Sequence, residues 1–102
     1  MDIISTGETL RLAGEFDVRS TTEVRDAIHQ HLFAENRDLT IDLTEVTVVD
    51  QTALRVLAAA TRLAERRGRQ VILRGAGPAV RRMLHITHLI RVVELERAAR
   101  IA

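Results

Sequence analysis

The stretch "VTVVDQTALRVL", residues 46–57, changes character at its fifth residue. Val46, Thr47, Val48 and Val49 are β-branched, stiff at χ1 and suited to a pleated strand. Beyond the changeover, Ala53, Val56, Leu57, Ala60, Leu63 and Ala64 follow the i, i+3, i+4, i+7 spacing of a helix with one apolar face. Arg55, Arg62, Glu65 and Arg66 fall on its other side. Asp50 stands between the two halves, where its carboxylate can accept from the free N–H groups of the first helical turn and meet the positive end of the helix dipole. A strand that runs directly into a capped helix is half of a βαβ unit, so this stretch decides the fold class.

The same periodicities extend outward from it. Upstream, Leu39, Ile41 and Leu43 alternate with Thr40 and Asp42, which predicts a strand leading into the second β-like stretch, 46–49. Residues 2–5 and 9–16 predict a hairpin around Gly7, with Leu10, Leu12, Gly14 and Phe16 on one side and Thr9, Arg11, Ala13 and Glu15 on the other. Ser20 to Glu23, "STTE", reads as a capping box, and Val24, Ala27, Ile28, His31 and Leu32 then recur at helical spacing, giving a first helix over 21–34. Downstream, Gly68 ends the second helix. "QVILR", 70–74, is a short buried strand, and "GAGP" turns into a third helix over 78–87 with Pro78 at its first position. "VVEL", 92–95, predicts a last strand and "ERAARIA", 96–102, a short terminal helix. The order β-β-α-β-α-β-α-β-α implies a single α/β domain: a mixed, mostly parallel sheet of about five strands with about four helices.

Composition narrows the function. The chain has 102 residues, 46% of them apolar, enough for one core and too few for two. It has no cysteine, so neither a disulfide nor a thiolate metal site is available. "MDIISTGETL" lacks a basic region followed by a long apolar stretch, and no apolar run approaches membrane-spanning length, so a cytoplasmic chain without membrane insertion is expected. All 15 basic residues are arginine. Residues 1–50 hold four Arg against eleven acids (−7), residues 51–102 eleven Arg against three (+8), so a net charge of +1 conceals a strongly polar chain. The basic half has no aromatic residue to stack on bases and no long basic run, which argues against nucleic acid and for an acidic protein partner.

Candidate chemistry is sparse. His29 and His31 are two apart on a helix and point to different sides, while His85 and His88 share a face without a third ligand, so structural or surface roles are expected and no metal. "GAGPAV", 75–80, begins like a dinucleotide fingerprint, with Glu94 downstream, but its third glycine is Val80 and one strand alone follows; a strand-to-helix turn is the better reading. There is no nucleophilic cysteine and no Gly-x-Ser-x-Gly elbow, and no cofactor is expected. An enzyme would need a deep polar cavity where scattered acids or histidines converge.

Taken together, "LAGEFDVRSTTEVRDAI" (12–28) and "LTIDLTEVTVVDQTALRVLAAATRLAERRGRQVILRGAGPAVRRMLHITHLIRVVELE" (39–96) resemble, in order and over nearly the whole chain, the STAS domains of bacterial anti-sigma factor antagonists. The resemblance implies a non-catalytic domain that binds an anti-sigma factor, often a serine kinase of the histidine-kinase-like ATPase type, and so frees a sigma factor for transcription. In that family the kinase phosphorylates a Ser or Thr in an Asp-Ser-[Ser/Thr]-Gly motif at the start of the second helix. Here Asp50 matches the Asp, Gln51 falls on the phosphoacceptor, Thr52 on the following hydroxyl and Ala53 on the glycine. Glutamine has no hydroxyl to modify. Either Gln51 leaves the protein permanently in its binding form, or Thr52 has become the acceptor. Ala53 in place of glycine is expected to crowd an approaching backbone and to stiffen the helix start.

The partner surface expected from this resemblance comprises Asp17 with its loop, residues Asp50 to Arg55, and the outer side of the second helix. Phe16 and Leu54 would give apolar contact or support, and Arg55 and Arg62 complementary charge. The rival reading, which Gln51 keeps alive, is a structural STAS subunit of a sensory or transporter-associated assembly with no switch. Homodimerisation through the hairpin edge or an apolar helix face stays open. His88 stands where relatives commonly carry glycine; a left-handed residue there would tolerate His less easily than Gly.

Overall fold

The computed structural model describes residues 1–35 and 37–96. Its elements are β1 (Asp2–Thr6), β2 (Thr9–Phe16), α1 (Thr21–His29), a π-helical turn (Gln30–Glu35), β3 (Leu39–Val49), α2 (Gln51–Arg66), β4 (Val71–Arg74), α3 (Pro78–Ile86) and a 3-10 turn (Leu89–Arg91). The four strands form one sheet in the order β1-β2-β3-β4. β1 pairs antiparallel with β2, and β2, β3 and β4 run parallel, as the hairpin and the alternation of strands with helices predict.

Chain order within the sheet decides where the helices go. β2, β3 and β4 are neighbours in sequence order, so two successive right-handed crossovers place α1 and α2 on the same face of the sheet. That face is the buried one. Leu10, Ile41 and Leu73 lie in register across the three strands and are each at most 1% exposed, whereas Thr9, Thr40 and Ile72, one residue out of phase, are half-buried. Phe16, Val24, Ile28, Leu54, Leu57 and Leu84 complete the core.

As the element order expects, the two β-like stretches 39–43 and 46–49 form a single eleven-residue strand, β3, whose register against β2 shifts twice, between Arg11 and Ala13 and between Gly14 and Glu15. Three expectations need correction. The fifth strand does not form. The 3-10 turn carries the chain into Val92 at φ −97° and ψ −43°, so residues 92–95 reach the sheet only through the isolated parallel bridge of Leu95 to Leu73. Three α-helices rather than four stand among the described residues, and the expected terminal helix at 96–102 falls almost wholly outside them. The capping box is also absent. Ser20 is the N-cap of α1, but its hydroxyl accepts from Asp17 N–H at 3.2 Å and faces the carbonyl oxygens of Asp17 (3.1 Å) and Glu15 (3.3 Å), so loop partners within reach outcompete the helix.

The two ends of α2 follow from sequence. Gly68 at φ +69° lets Arg69 N–H reach back to Ala64 C=O at 2.8 Å, the six-to-one bond of a Schellman stop. Past α1, the wide π turn seats His31 in the interior at 2% exposure, with Nε2 2.7 Å from Ser5 Oγ on the edge strand, whereas His29 is exposed. The two histidines do point to different sides.

His88 is left-handed at φ +61°, the one non-glycine residue with positive φ among those described, and its side chain is exposed. His88→Gly should therefore raise stability by about 0.5–1 kcal/mol, because the Cβ penalty disappears and no contact is lost. Urea denaturation measures it; an unchanged or lower midpoint would show that the position carries no strain.

Candidate functional site

The site is built from two segments that lie far apart in sequence. At the end of β2 the chain turns through residues 17–20, and at the end of β3 it enters α2. Since Phe16 pairs with Val49 in the sheet, the two turns emerge side by side. Asp50 joins them. Its N–H donates to Phe16 C=O at 3.3 Å. One carboxylate oxygen, Oδ1, accepts from Ala53 N–H at 2.8 Å and caps α2; the other, Oδ2, accepts from Val18 N–H at 3.0 Å. Asp50 has extended backbone angles, φ −109° and ψ 176°, as an N-cap requires. The cap read from sequence is present, and the same side chain also holds the neighbouring loop.

That loop is braced from its other side by Arg19. The guanidinium grips Asp17 with Nε (3.2 Å) and Nη2 (2.7 Å), and Nη2 also reaches Glu15 Oε2 at 2.6 Å. Hydrogen bonding from the Arg19 side chain, then from its backbone N–H, holds the Asp17 carboxyl below the usual carboxylate range. Thr21 Oγ1 donates to Val18 C=O at 3.1 Å, closing the turn. The result is a fixed loop with an aliphatic tip: Val18 is 63% exposed.

The predicted site residues divide into two sets. Gln51, Thr52, Arg55 and Arg62 are exposed, and Asp17 and Asp50 are partly so. Phe16, Ala53 and Leu54 have 0% exposure, so they support the surface from beneath and cannot touch a docked molecule. This corrects the expectation for Ala53: its methyl group faces the core, where it cannot crowd an approaching backbone. Val18 and Arg19 lie in the loop expected to act with Asp17, but the sequence reading did not single them out. An aliphatic residue flanked by Asp17 and Arg19 in an otherwise polar turn was the available signal.

What the two turns offer is an exposed surface. His85 and His88 are exposed, and no group of three or more His, Asp and Glu among the described residues is placed to hold a metal ion. "GAGP" is a strand-to-helix turn, in which Gly75 at φ +71° passes directly over Thr44. No helix of the described residues is long and apolar enough to cross a membrane.

Comparison with known proteins agrees with this geometry. Residues 2–94 match the family described as "Mlab, STAS domain". The anti-sigma-B factor antagonist of Listeria monocytogenes is 32% identical over 85 residues, which cover 83% of this chain and 75% of the relative. The crystal structure of an anti-sigma factor antagonist from Mycobacterium paratuberculosis superposes with a TM-score of 0.73 at 27% identity, covering 94% of this chain and 83% of that one. A sulfate transporter family protein from Wolinella succinogenes shares the fold at a TM-score of 0.66 and 22% identity, over 82% of this chain and 68% of that one. The fold shared with these structures and the family match over residues 2–94 thus converge: the chain belongs to the STAS domain family, which includes the anti-sigma factor antagonists.

Proposed function

We propose that this protein is an anti-sigma factor antagonist that acts by binding, and that its docking surface is the paired turn formed by residues 17–20 and 50–55. The observation that carries the reading is the Asp50 carboxylate, which accepts from Val18 N–H and Ala53 N–H at once and so presents Val18, Gln51, Thr52 and Arg55 from one rigid base. The 32% identity to the Listeria antagonist supports the same assignment. The partner is an anti-sigma factor, of the serine kinase type found with such antagonists, and binding it releases a sigma factor in the bacterial cytoplasm.

Gln51 occupies the family's phosphoacceptor position, and an amide accepts no phosphate. The protein is therefore held in its binding form. Mixing it with an anti-sigma factor kinase should give a complex on size-exclusion chromatography, and adding ATP should leave both the complex and the intact mass unchanged. A gain of one phosphate on Thr52 with loss of the complex would show instead that the switch has moved one residue along α2, where the hydroxyl is exposed. Absence of any complex with such kinases would favour the second reading, a structural STAS subunit of a sensory or transporter-associated assembly. Gln51 and the fold shared with the sulfate transporter family protein support that alternative.

A further inference from the structure

α1 and α2, side by side on one face of the sheet, leave a groove of ≈ 420 Å³ between them that is open to solvent. Its floor is aliphatic: Ile28 from α1, and Val56, Ala60 and Leu63 from α2. Val56 and Leu63 belong to the apolar stripe of α2 but are only half-buried. The rim is basic. Arg25 and His29 stand on the α1 side, Arg55 and Arg66 on the α2 side, and no carboxylate lines the groove.

None of Arg25, Arg55 and Arg66 forms an ion pair among the described residues. On an ordinary solvated helix, acids four residues away would balance such arginines. α2 carries one acid, Glu65, and it lies in a different depression beside Asp38 and Gln70. An uncovered aliphatic floor edged by unbalanced guanidinium groups suits a molecule that is apolar on one side and acidic on its flanks.

We propose that this groove docks an acidic amphipathic helix of the partner protein, an inference that rests on the partner-binding reading above and names the shape and charge of what binds. Arg55 and Arg66 are three helical turns apart, about 16 Å along α2 at 1.5 Å per residue. A helix of about 12–15 residues laid along the groove would set aliphatic side chains at i, i+4 and i+7 over Ile28, Val56 and Leu63. Its Asp or Glu residues would face Arg25 on one flank and Arg55 and Arg66 on the other, where guanidinium forks pair carboxylates with defined geometry. A nucleic acid strand fits less well. Its phosphates would meet the arginines, but no Phe, Tyr or Trp lines the groove to stack a base, and the aliphatic floor would stay uncovered.

The test uses three side-chain-stapled helical peptides of about 15 residues that share one leucine stripe and carry Glu, Gln or Arg on its flanks. In an NMR titration of the full chain, the Glu peptide should shift the amides of Ile28, Val56 and Leu63, the Gln peptide should bind more weakly, and the Arg peptide should not bind. The double variant Arg25→Glu/Arg66→Glu changes two exposed positions and should weaken the Glu peptide by roughly tenfold or more while the folded spectrum is retained. A Glu peptide that leaves those amides unmoved, or binds the double variant equally well, overturns the proposal. So does a single-stranded oligonucleotide that shifts them when the Glu peptide does not. Peptide binding needs no anti-sigma factor, so the two readings can fail separately. Groove binding by the Glu peptide, with no anti-sigma factor retained, keeps the groove and removes that partner. Equal retention of an anti-sigma factor by wild type and the double variant keeps the partner and overturns the groove.

Discussion

Gly75→Ala should destabilise the protein by about 2–4 kcal/mol, a large share of the roughly 5–15 kcal/mol that holds a domain of this size together. Two costs add. Gly75 sits at φ +71°, where a Cβ costs about 1 kcal/mol against the following carbonyl. The added methyl would also overlap Thr44 Oγ1 and approach Thr44 N at 3.0 Å and Cα at 3.1 Å, so side chain and backbone both stand in its way. Thr44 has no free route of escape. Its hydroxyl donates to Asp42 Oδ1 at 2.6 Å and its N–H to the same oxygen at 2.9 Å, so moving aside breaks a hydrogen-bonded turn in the middle of β3. Chemical denaturation should show the loss as a lower midpoint with an unchanged slope. Thr44→Ala in the same chain removes the hydroxyl overlap while leaving the backbone approach and the positive φ, so the double variant should recover part of the stability. Additive losses in that cycle would show that Thr44 is not the obstacle.

The second large effect falls on the proposed docking surface. Asp50→Ala deletes both acceptors that join residues 17–20 to the start of α2. Loss of the cap costs about 1 kcal/mol, and the freed Val18 N–H, on an exposed turn, adds about 0.5–1 kcal/mol. Partner affinity should fall with stability, since the loop that presents Val18 loses its tether. Asp50→Asn separates the contributions: its amide keeps one acceptor oxygen, which can serve Ala53 N–H or Val18 N–H but not both. Hydrogen exchange at those two amides should therefore show one protected and the other released. Unchanged thermal stability and partner affinity in Asp50→Ala would refute both roles.

Local physics was legible in the sequence, and long-range geometry was not. The hairpin, α2 and the Asp50 cap depend on neighbours within a few residues, and the structure contains all three. The capping box at Ser20 was read by the same local rule and fails, because the carbonyl oxygens of Glu15 and Asp17 compete for the hydroxyl only once β2 has turned. Residues 92–95 have strand-like side chains, yet strand formation needs an edge to pair with, and the preceding 3-10 turn delivers little more than Leu95 to β4. At the site, Gln51 and Thr52 were visible as a motif. The second bond of Asp50, to Val18 thirty-two residues earlier in the chain, follows from the register of Phe16 against Val49, which periodicity does not encode. Burial divides the predicted contacts for the same reason: alternation places Phe16 inward and helical spacing places Ala53 there, whereas only the packed helix shows that Leu54 also lies beneath the surface it carries.

The pair of hydrogen bonds accepted by Asp50 has a further consequence for recognition through the proposed surface. The features that the proposed docking surface presents come from two separate stretches of chain, and they acquire a common orientation only when the sheet has brought those stretches together. Recognition through that surface would thereby be a check on folding: a nascent or misfolded copy carries every residue of the motif but not their shared orientation, and would be passed over. A peptide spanning residues 46–57 would hold the motif's chemistry without its shape.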